Sequence, residues 1–206
     1  MKNLSKIVMG ACAFTASSLF AENNASTWNP YVEVKGMATK AGKKDGISFK
    51  WGWASALETG LRYENWRIGV ELGYTKMNTK NWTSGVFEFS SRCDGLSGML
   101  NAYYDFSIFQ DTNFYVGGGL GICNIGSKMS SVDGNFRNIS THKIVISYQI
   151  MTGISYNLNE NWKIKLGYRM FKPGNNNDKL GIGAQDLPFS KSPYIHMLEL
   201  GLRYNF

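Results

Sequence analysis

Leu57-Glu58-Thr59-Gly60-Leu61-Arg62-Tyr63 is followed, four residues later, by Ile68-Gly69-Val70-Glu71-Leu72-Gly73-Tyr74. In the first stretch Leu57, Thr59, Leu61 and Tyr63 share one face of an extended chain. Glu58, Gly60 and Arg62 share the other, because successive strand side chains point to opposite sides. In the second, Ile68, Val70, Leu72 and Tyr74 oppose Gly69, Glu71 and Gly73. The linker Glu64-Asn65-Trp66-Arg67 is short enough for a tight hairpin. Each strand has one mainly apolar face and one of small and charged residues.

The pattern recurs outward from this hairpin. Leu100, Ala102, Tyr104 and Phe106 alternate with Met99, Asn101, Tyr103 and Asp105. Phe114, Val116, Leu120 and Ile122 alternate with Tyr115, Gly117, Gly119 and Gly121. Tyr148, Ile150, Ile154 and Tyr156 alternate with Gln149, Met151, Gly153 and Ser155. Trp162, Ile164, Leu166 and Tyr168 alternate with Lys163, Lys165, Gly167 and Arg169. The last run sets Leu198, Leu200, Leu202, Tyr204 and Phe206 against Met197, Glu199, Gly201, Arg203 and Asn205. The first, more weakly, sets Val32, Val34, Gly36 and Ala38 against Glu33 and Lys35. The periodicity predicts eight strands. Glu64-Asn65-Trp66-Arg67-Ile68 also returns as Glu160-Asn161-Trp162-Lys163-Ile164, each time opening a strand after a short turn.

Short turns fall near Asn65, Gln110 and Asn159, and long polar connections at about 39–52, 78–95, 124–142 and 171–193. Short turns at one end and long loops at the other characterise outer-membrane barrels. Composition agrees. Charged residues are 18% of the 206, aromatics 14%, with 23 glycines and 4 prolines. The net charge of +7 is spread without a Lys/Arg run, which argues against a nucleic-acid partner. Past the N-terminus no run reaches the roughly 18 apolar residues of a spanning helix. Residues 1–21 read as a removed secretory signal, with Lys2 and Lys6 ahead of an apolar stretch from Ile7 to Phe20. Residues 22–206 are then one barrel domain in an oxidising compartment.

Asn101-Ala102-Tyr103-Tyr104-Asp105-Phe106, Tyr115-Val116-Gly117-Gly118-Gly119-Leu120-Gly121, Leu166-Gly167-Tyr168-Arg169 and Leu198–Phe206 carry a family resemblance. The sequence resembles the small eight-stranded outer-membrane barrels of the opacity-protein and surface-antigen type. In architecture it is similar to the transmembrane part of OmpA-like proteins. The resemblance implies an all-β, antiparallel, up-and-down transmembrane barrel in the bacterial outer membrane, with short periplasmic turns and four outer loops. It also implies that the final strand ending in Phe206 is read by the barrel assembly machinery.

Catalysis and metal binding find little support. His196 has Leu198, not Ser, two residues on, where the lipid-modifying barrel hydrolases place their serine. No His, Cys, Asp and Glu cluster has metal-ligand spacing, and no cofactor is expected. Eight strands leave a lumen that side chains can fill. Counting from both chain ends sets Glu33 opposite Arg203 and Arg169 opposite Glu199. Arg62 and Glu71 become diagonal neighbours across the Asn65 hairpin. A Phe106–Asn113 pairing puts Cys123 level with Leu96 and Cys93 three residues beyond, either bridged by a disulfide or as two separate small residues at the rim.

Function then rests on a filled, ion-paired barrel with a structural and surface-interaction role, adhesion or envelope integrity, carried by the outer loops. The alternative is a small pore or solute transporter, which the strand count disfavours. The expected partners are outer-membrane lipid, lipopolysaccharide phosphates drawn by Lys40, Lys43 and Lys44, and a host surface ligand at the loops.

Overall fold

The computed structural model of the chain describes residues 28–42, 50–78, 82–84, 87–131, 139–174 and 193–206. The signal segment expected over 1–21, Lys43, Lys44 and most of the connection expected at 171–193 lie outside them. The strands are β1 (Trp28–Ala41), β2 (Gly52–Tyr63), β3 (Trp66–Asn78), β4 (Trp82–Ser84), β5 (Phe87–Phe109), β6 (Thr112–Ser131), β7 (Ile139–Asn157), β8 (Trp162–Pro173) and β9 (Ile195–Asn205). Neighbours pair antiparallel in the order β3-β2-β1-β9-β8-β7-β6-β5, and β3 pairs with β5 to close the sheet. The result is a closed, eight-stranded, antiparallel barrel. The short β4 stands outside the closed ring and, among the described residues, pairs with the far end of β5.

The apolar faces point outward. Val34 is 59% exposed and Leu100 64%, while Glu33, Glu58 and Thr39 are fully covered. This inverts a soluble sandwich and suits a sheet whose outer face meets lipid. Two aromatic belts flank the apolar band. At the turn end Trp28 lies on Tyr63, Trp66 on Tyr104 and Trp162 on Tyr204, with ring centroids 5.1, 4.9 and 5.0 Å apart. At the loop end Trp53 meets Tyr74 and Tyr168 stacks on His196.

Tight turns close the hairpins at one end. Glu64 reverses the chain between paired Tyr63 and Trp66 with a φ of 50°, a left-handed conformation more usual for Gly or Asn. Between β7 and β8 the Asn159 side chain accepts from the backbone N–H groups of Asn161 and Trp162, at 3.0 and 2.8 Å.

At the other end the strands run further than alternation suggests. The connections expected over 78–95 and 124–142 are largely strand: β5 has 23 residues and β6 has 20. Phe89 pairs with Ser131 and Met129 with Ile139. Backbone pairing needs no apolar face, so a ladder that continues into water leaves no hydrophobic period for sequence reading to detect.

The lumen is narrow enough that glycines position its aromatic rings. Tyr31 pairs with Gly60, and Gly60 with Gly69. Tyr115 pairs with Gly153, and Gly153 with Gly167. In each row of three strands the tyrosine hydroxyl lies over the two glycines. A Cβ on Gly60 or Gly69 would come within 2.8 or 2.6 Å of the Tyr31 oxygen, and one on Gly153 within 2.8 Å of that of Tyr115. The same Tyr-Gly-Gly row thus occurs twice, and each of the two hairpins carries one copy of the Glu-Asn-Trp repeat.

Candidate functional site

The lumen divides into two halves of opposite character. The half nearer the turns and the middle is charged. Arg67 grips Asp105 through two hydrogen bonds of 2.8 Å. Arg203 stands 3.9 Å from the same carboxylate, and its Nε donates to Glu33 at 2.9 Å. Lys165 lies 2.6 Å from Glu33 and 3.7 Å from Glu199. Arg169 donates to Glu199 at 2.6 Å and to Glu71 at 2.9 Å. Lys35 joins Glu71 and Glu58, each at 2.6 Å, and returns to within 3.7 Å of Glu33. Five carboxylates and five cations therefore form one continuous, charge-balanced network. Neutral groups complete it: the Tyr31 and Tyr103 hydroxyls donate to Glu58 at 2.6 and 2.7 Å, and Asn101 donates at 2.9 Å. The Arg67 guanidinium lies 4.2 Å from the Tyr103 ring centre, and Lys165 Nζ 4.5 Å from that of Tyr115. Burying this many charges is tolerable only because each has partners of opposite sign and further hydrogen bonds.

Glu33 and Arg203 are direct partners across the β1–β9 seam. Arg169 meets Glu199, but not from the opposite position: β8 pairs Arg169 with Met197 and Gly167 with Glu199, so the guanidinium reaches down two residues. Arg62 does not reach Glu71. The two-residue turn pairs Arg62 with Arg67 and Glu58 with Glu71, which sets Arg62 four residues from the Glu71 level. Its Nε donates instead to the Glu64 carbonyl at 2.9 Å. Lys35 and Glu58, at the centre of the network, were legible as inward residues but not as a pair. Their meeting depends on the β1–β2 register, in which they lie diagonally.

The half nearer the loops is apolar. Met37, Ala54, Ala56, Met77, Met99, Val145, Phe171, Ile195 and Met197 are buried there as one cluster, with Cys123 among them and Cys93 packed against it. Met37, Met77, Cys93, Cys123, Phe171 and Met197 of this region line a cavity of about 60 Å³, which Ser55, Thr75, Asp94, Ser97, Glu71, Gln149 and Arg169 also border. Cys93 and Cys123 are not bridged to one another. The hairpin pairs Ser107, not Phe106, with Asn113, and a bulge falls between Ser107 and Phe109. Cys123 is therefore level with Ser97, and Cys93 with Ser127. Four residues of strand, about 13 Å, separate them along the barrel wall, beyond the roughly 4.4–6.8 Å between Cα atoms that a disulfide spans.

On the outside of the loop end, Lys40 Nζ lies 5.0 Å from the Trp51 ring centre. Lys172 Nζ lies 4.5 Å from that of Tyr194 and donates to its hydroxyl at 3.3 Å. His196 Nδ1 and the Tyr168 hydroxyl are 2.5 Å apart. No group of three or more His, Cys, Asp or Glu side chains suited to a metal occurs among the described residues.

A closed eight-stranded barrel with a lipid-facing apolar band has well-defined relatives. The model for the outer membrane protein beta-barrel domain matches residues 9–206. The chain belongs to that family. Its setting is accordingly the bacterial outer membrane. A protein of Rickettsia prowazekii (strain Madrid E), RP828, named as a candidate adhesin, is 26% identical over 190 residues, 84% of this chain and 85% of its own length. RT0816 of Rickettsia typhi (strain Wilmington), named likewise, is 25% identical over 224 residues, 99% of both. Among solved structures, Neisserial surface protein A covers 89% of this chain and 100% of its own, with a TM-score of 0.57 at 21% identity. Ail, the attachment invasion locus protein of Yersinia pestis, solved with the heparin analogue sucrose octasulfate, covers 88% and 100%, with a TM-score of 0.52 at 18% identity. The two structures share the fold.

Proposed function

We propose that the protein is an exported outer-membrane barrel, formed by residues 22–206, whose role is surface attachment. The observation that carries this is the division of the molecule. The lumen is occupied at mid-height by a charge-balanced network, while strands β5 to β7 continue the ladder past the apolar band at the loop end. Such a body offers a solute little passage and carries a strand-paired projection at the loop end. The reading is supported by relatives named as candidate adhesins. The loop end carries outward cations, Lys40, Lys76, Arg92 and Lys172, with Asp94 as their acidic neighbour. That charge suits an anionic partner: lipopolysaccharide phosphates beside the barrel, and a sulfated polysaccharide on a host surface, the chemistry of the analogue bound to Ail. Insertion would run through the assembly machinery reading β9 and Phe206.

The test is display of the protein in a non-adherent bacterial host. Attachment to cultured host cells is expected, with loss on addition of soluble heparin and weakening in a Lys40→Gln, Lys172→Gln variant. Attachment no greater than that of the empty host would overturn the reading.

A further inference from the structure

We propose that the apolar half of the lumen holds a soft monovalent cation, copper(I) or silver(I), on methionine thioethers and a cysteine thiolate. The proposal depends on the barrel but not on the attachment role. Two of the three cysteines in the sequence and three methionines line the same cavity: Cys93, Cys123, Met37, Met77 and Met197.

The register brings these sulfurs together. Met197 pairs with Thr39 and Thr39 with Gly52, Met77 pairs with Cys93, and Met77 Cγ lies 2.6 Å from where a Cβ on Gly52 would be, so these residues lie close together on the inner wall across β9, β1, β2, β3 and β5. Gly52 leaves a gap in that wall, and Met77 fills it: the same Cβ would lie 2.7 Å from Thr39 Oγ1. A second gap is at Gly95. The Cys123 sulfur leans towards it, 3.6 Å from where its Cβ would be. Gly95 is the inward position next to Cys93 on β5, and β3 sets Met77 directly across from Cys93. Cys123 therefore approaches the Met77–Cys93 pair from below. The backbones are too far apart for a disulfide. Metal–sulfur bonds of about 2.3 Å instead let sulfurs some 4 Å apart share one ion.

Mixed thiolate and thioether ligands suit copper(I) and its soft congeners; calcium and magnesium want oxygen donors, and structural zinc wants four thiolate, imidazole or carboxylate donors, whereas the described residues hold no group of even three His, Cys, Asp or Glu suited to a metal. Charge points the same way. A thiol that ligates releases its proton to solvent, so one monovalent cation, one thiolate and neutral thioethers make a neutral complex, the state an apolar enclosure accepts. A divalent ion would leave a net buried charge. Methionine also fills irregular cores, and the experiment separates that role from ligation.

The full barrel, folded in detergent and checked by its gel migration before boiling, is titrated anaerobically with copper(I) against a chromogenic copper(I) chelator. Silver(I), which needs no reductant, is followed in parallel by thermal shift. One ion per barrel is expected. Met77→Leu and Cys123→Ala should each weaken retention by about tenfold or more, the order lost with groups that hold a metal. Met170→Leu, on the lipid-facing side, should change nothing. Leucine conserves volume, so packing alone predicts equal retention in all variants. Failure to withdraw copper from the chelator, retention unchanged in Met77→Leu and Cys123→Ala, or loss on Met170→Leu would each overturn the proposal. So would an intact Cys93–Cys123 bridge in protein taken from the envelope without reductant.

Discussion

Lys35 is the residue on which the interior turns. Its ammonium faces Glu58 and Glu71 at 2.6 Å and Glu33 at 3.7 Å, with none of its side chain exposed. Replacing it with methionine leaves Glu58 without a cation, supported only by Tyr31, Tyr103 and Asn101. Stranding a buried charge costs about 3–5 kcal/mol. Arg203 differs. When it is lost, Glu33 keeps Lys165 at 2.6 Å. Both variants should unfold at lower urea than the parent, Lys35→Met by clearly more than Arg203→Met. Adding Glu58→Gln to Lys35→Met should recover part of the loss. Equal midpoints for the two single variants would mean that the network is not apportioned as the distances suggest. The Tyr-Gly-Gly rows make a separate demand. Gly69→Val puts methyl groups where the Tyr31 hydroxyl and the Glu58 carboxylate lie. Its folded fraction should fall well below that of Gly36→Val, where a Cβ meets nothing within 4 Å. Band intensities on an unboiled gel would compare them.

At the scale of the strand, the sequence is most legible where a strand lies in lipid. Leu57 to Tyr63 alternates because one face must be apolar and the other must fit a narrow lumen, so strand, face and hairpin follow from period alone. In the long arms of β5, β6 and β7 the backbone ladder continues although the alternation of residue types fades. Parity likewise tells that Arg62, Arg169 and Glu71 point inward, but partners depend on register. A one- or two-residue difference at a turn moves Arg62 from Glu71 to the Glu64 carbonyl, and Cys123 from Leu96 to Ser97. The network at Lys35 joins β1, β2 and β3, and no count along one hairpin reveals it. Strand direction yields a test of its own. With the turns in the periplasm and the arms outside, a thiol at Lys50, exposed beside the start of β2, should react with a membrane-impermeant maleimide on intact cells. A thiol at Asp111, in the β5–β6 turn, should react only after lysis. A background lacking Cys93 and Cys123 keeps the signal clean. The reverse pattern would invert the orientation.

For the whole molecule, closure and filling have separable consequences. Closure satisfies every strand edge, since opening a barrel in lipid leaves backbone groups unpaired at several kcal/mol each. Unboiled protein should therefore run apart from boiled protein on a detergent gel, and identical migration would contradict a closed barrel. Filling concerns what can pass. Open aqueous channels belong to barrels of 16–18 strands. Here the mid-lumen section is crossed by Lys35, Glu58, Tyr103 and Asn101, each no more than 1% exposed. An ion moving through would have to displace partners held at 2.6–2.9 Å and strand their charges. Purified protein in a planar bilayer should show no steady conductance at moderate voltage. A Tyr103→Ala, Arg67→Ala variant removes the ring and guanidinium that stack 4.2 Å apart beside the network. If it folds, as its gel migration would report, it should leak where the parent does not. A parent that conducts steadily, with cation or anion preference altered by Lys35→Met, would instead make the charged row a permeation path.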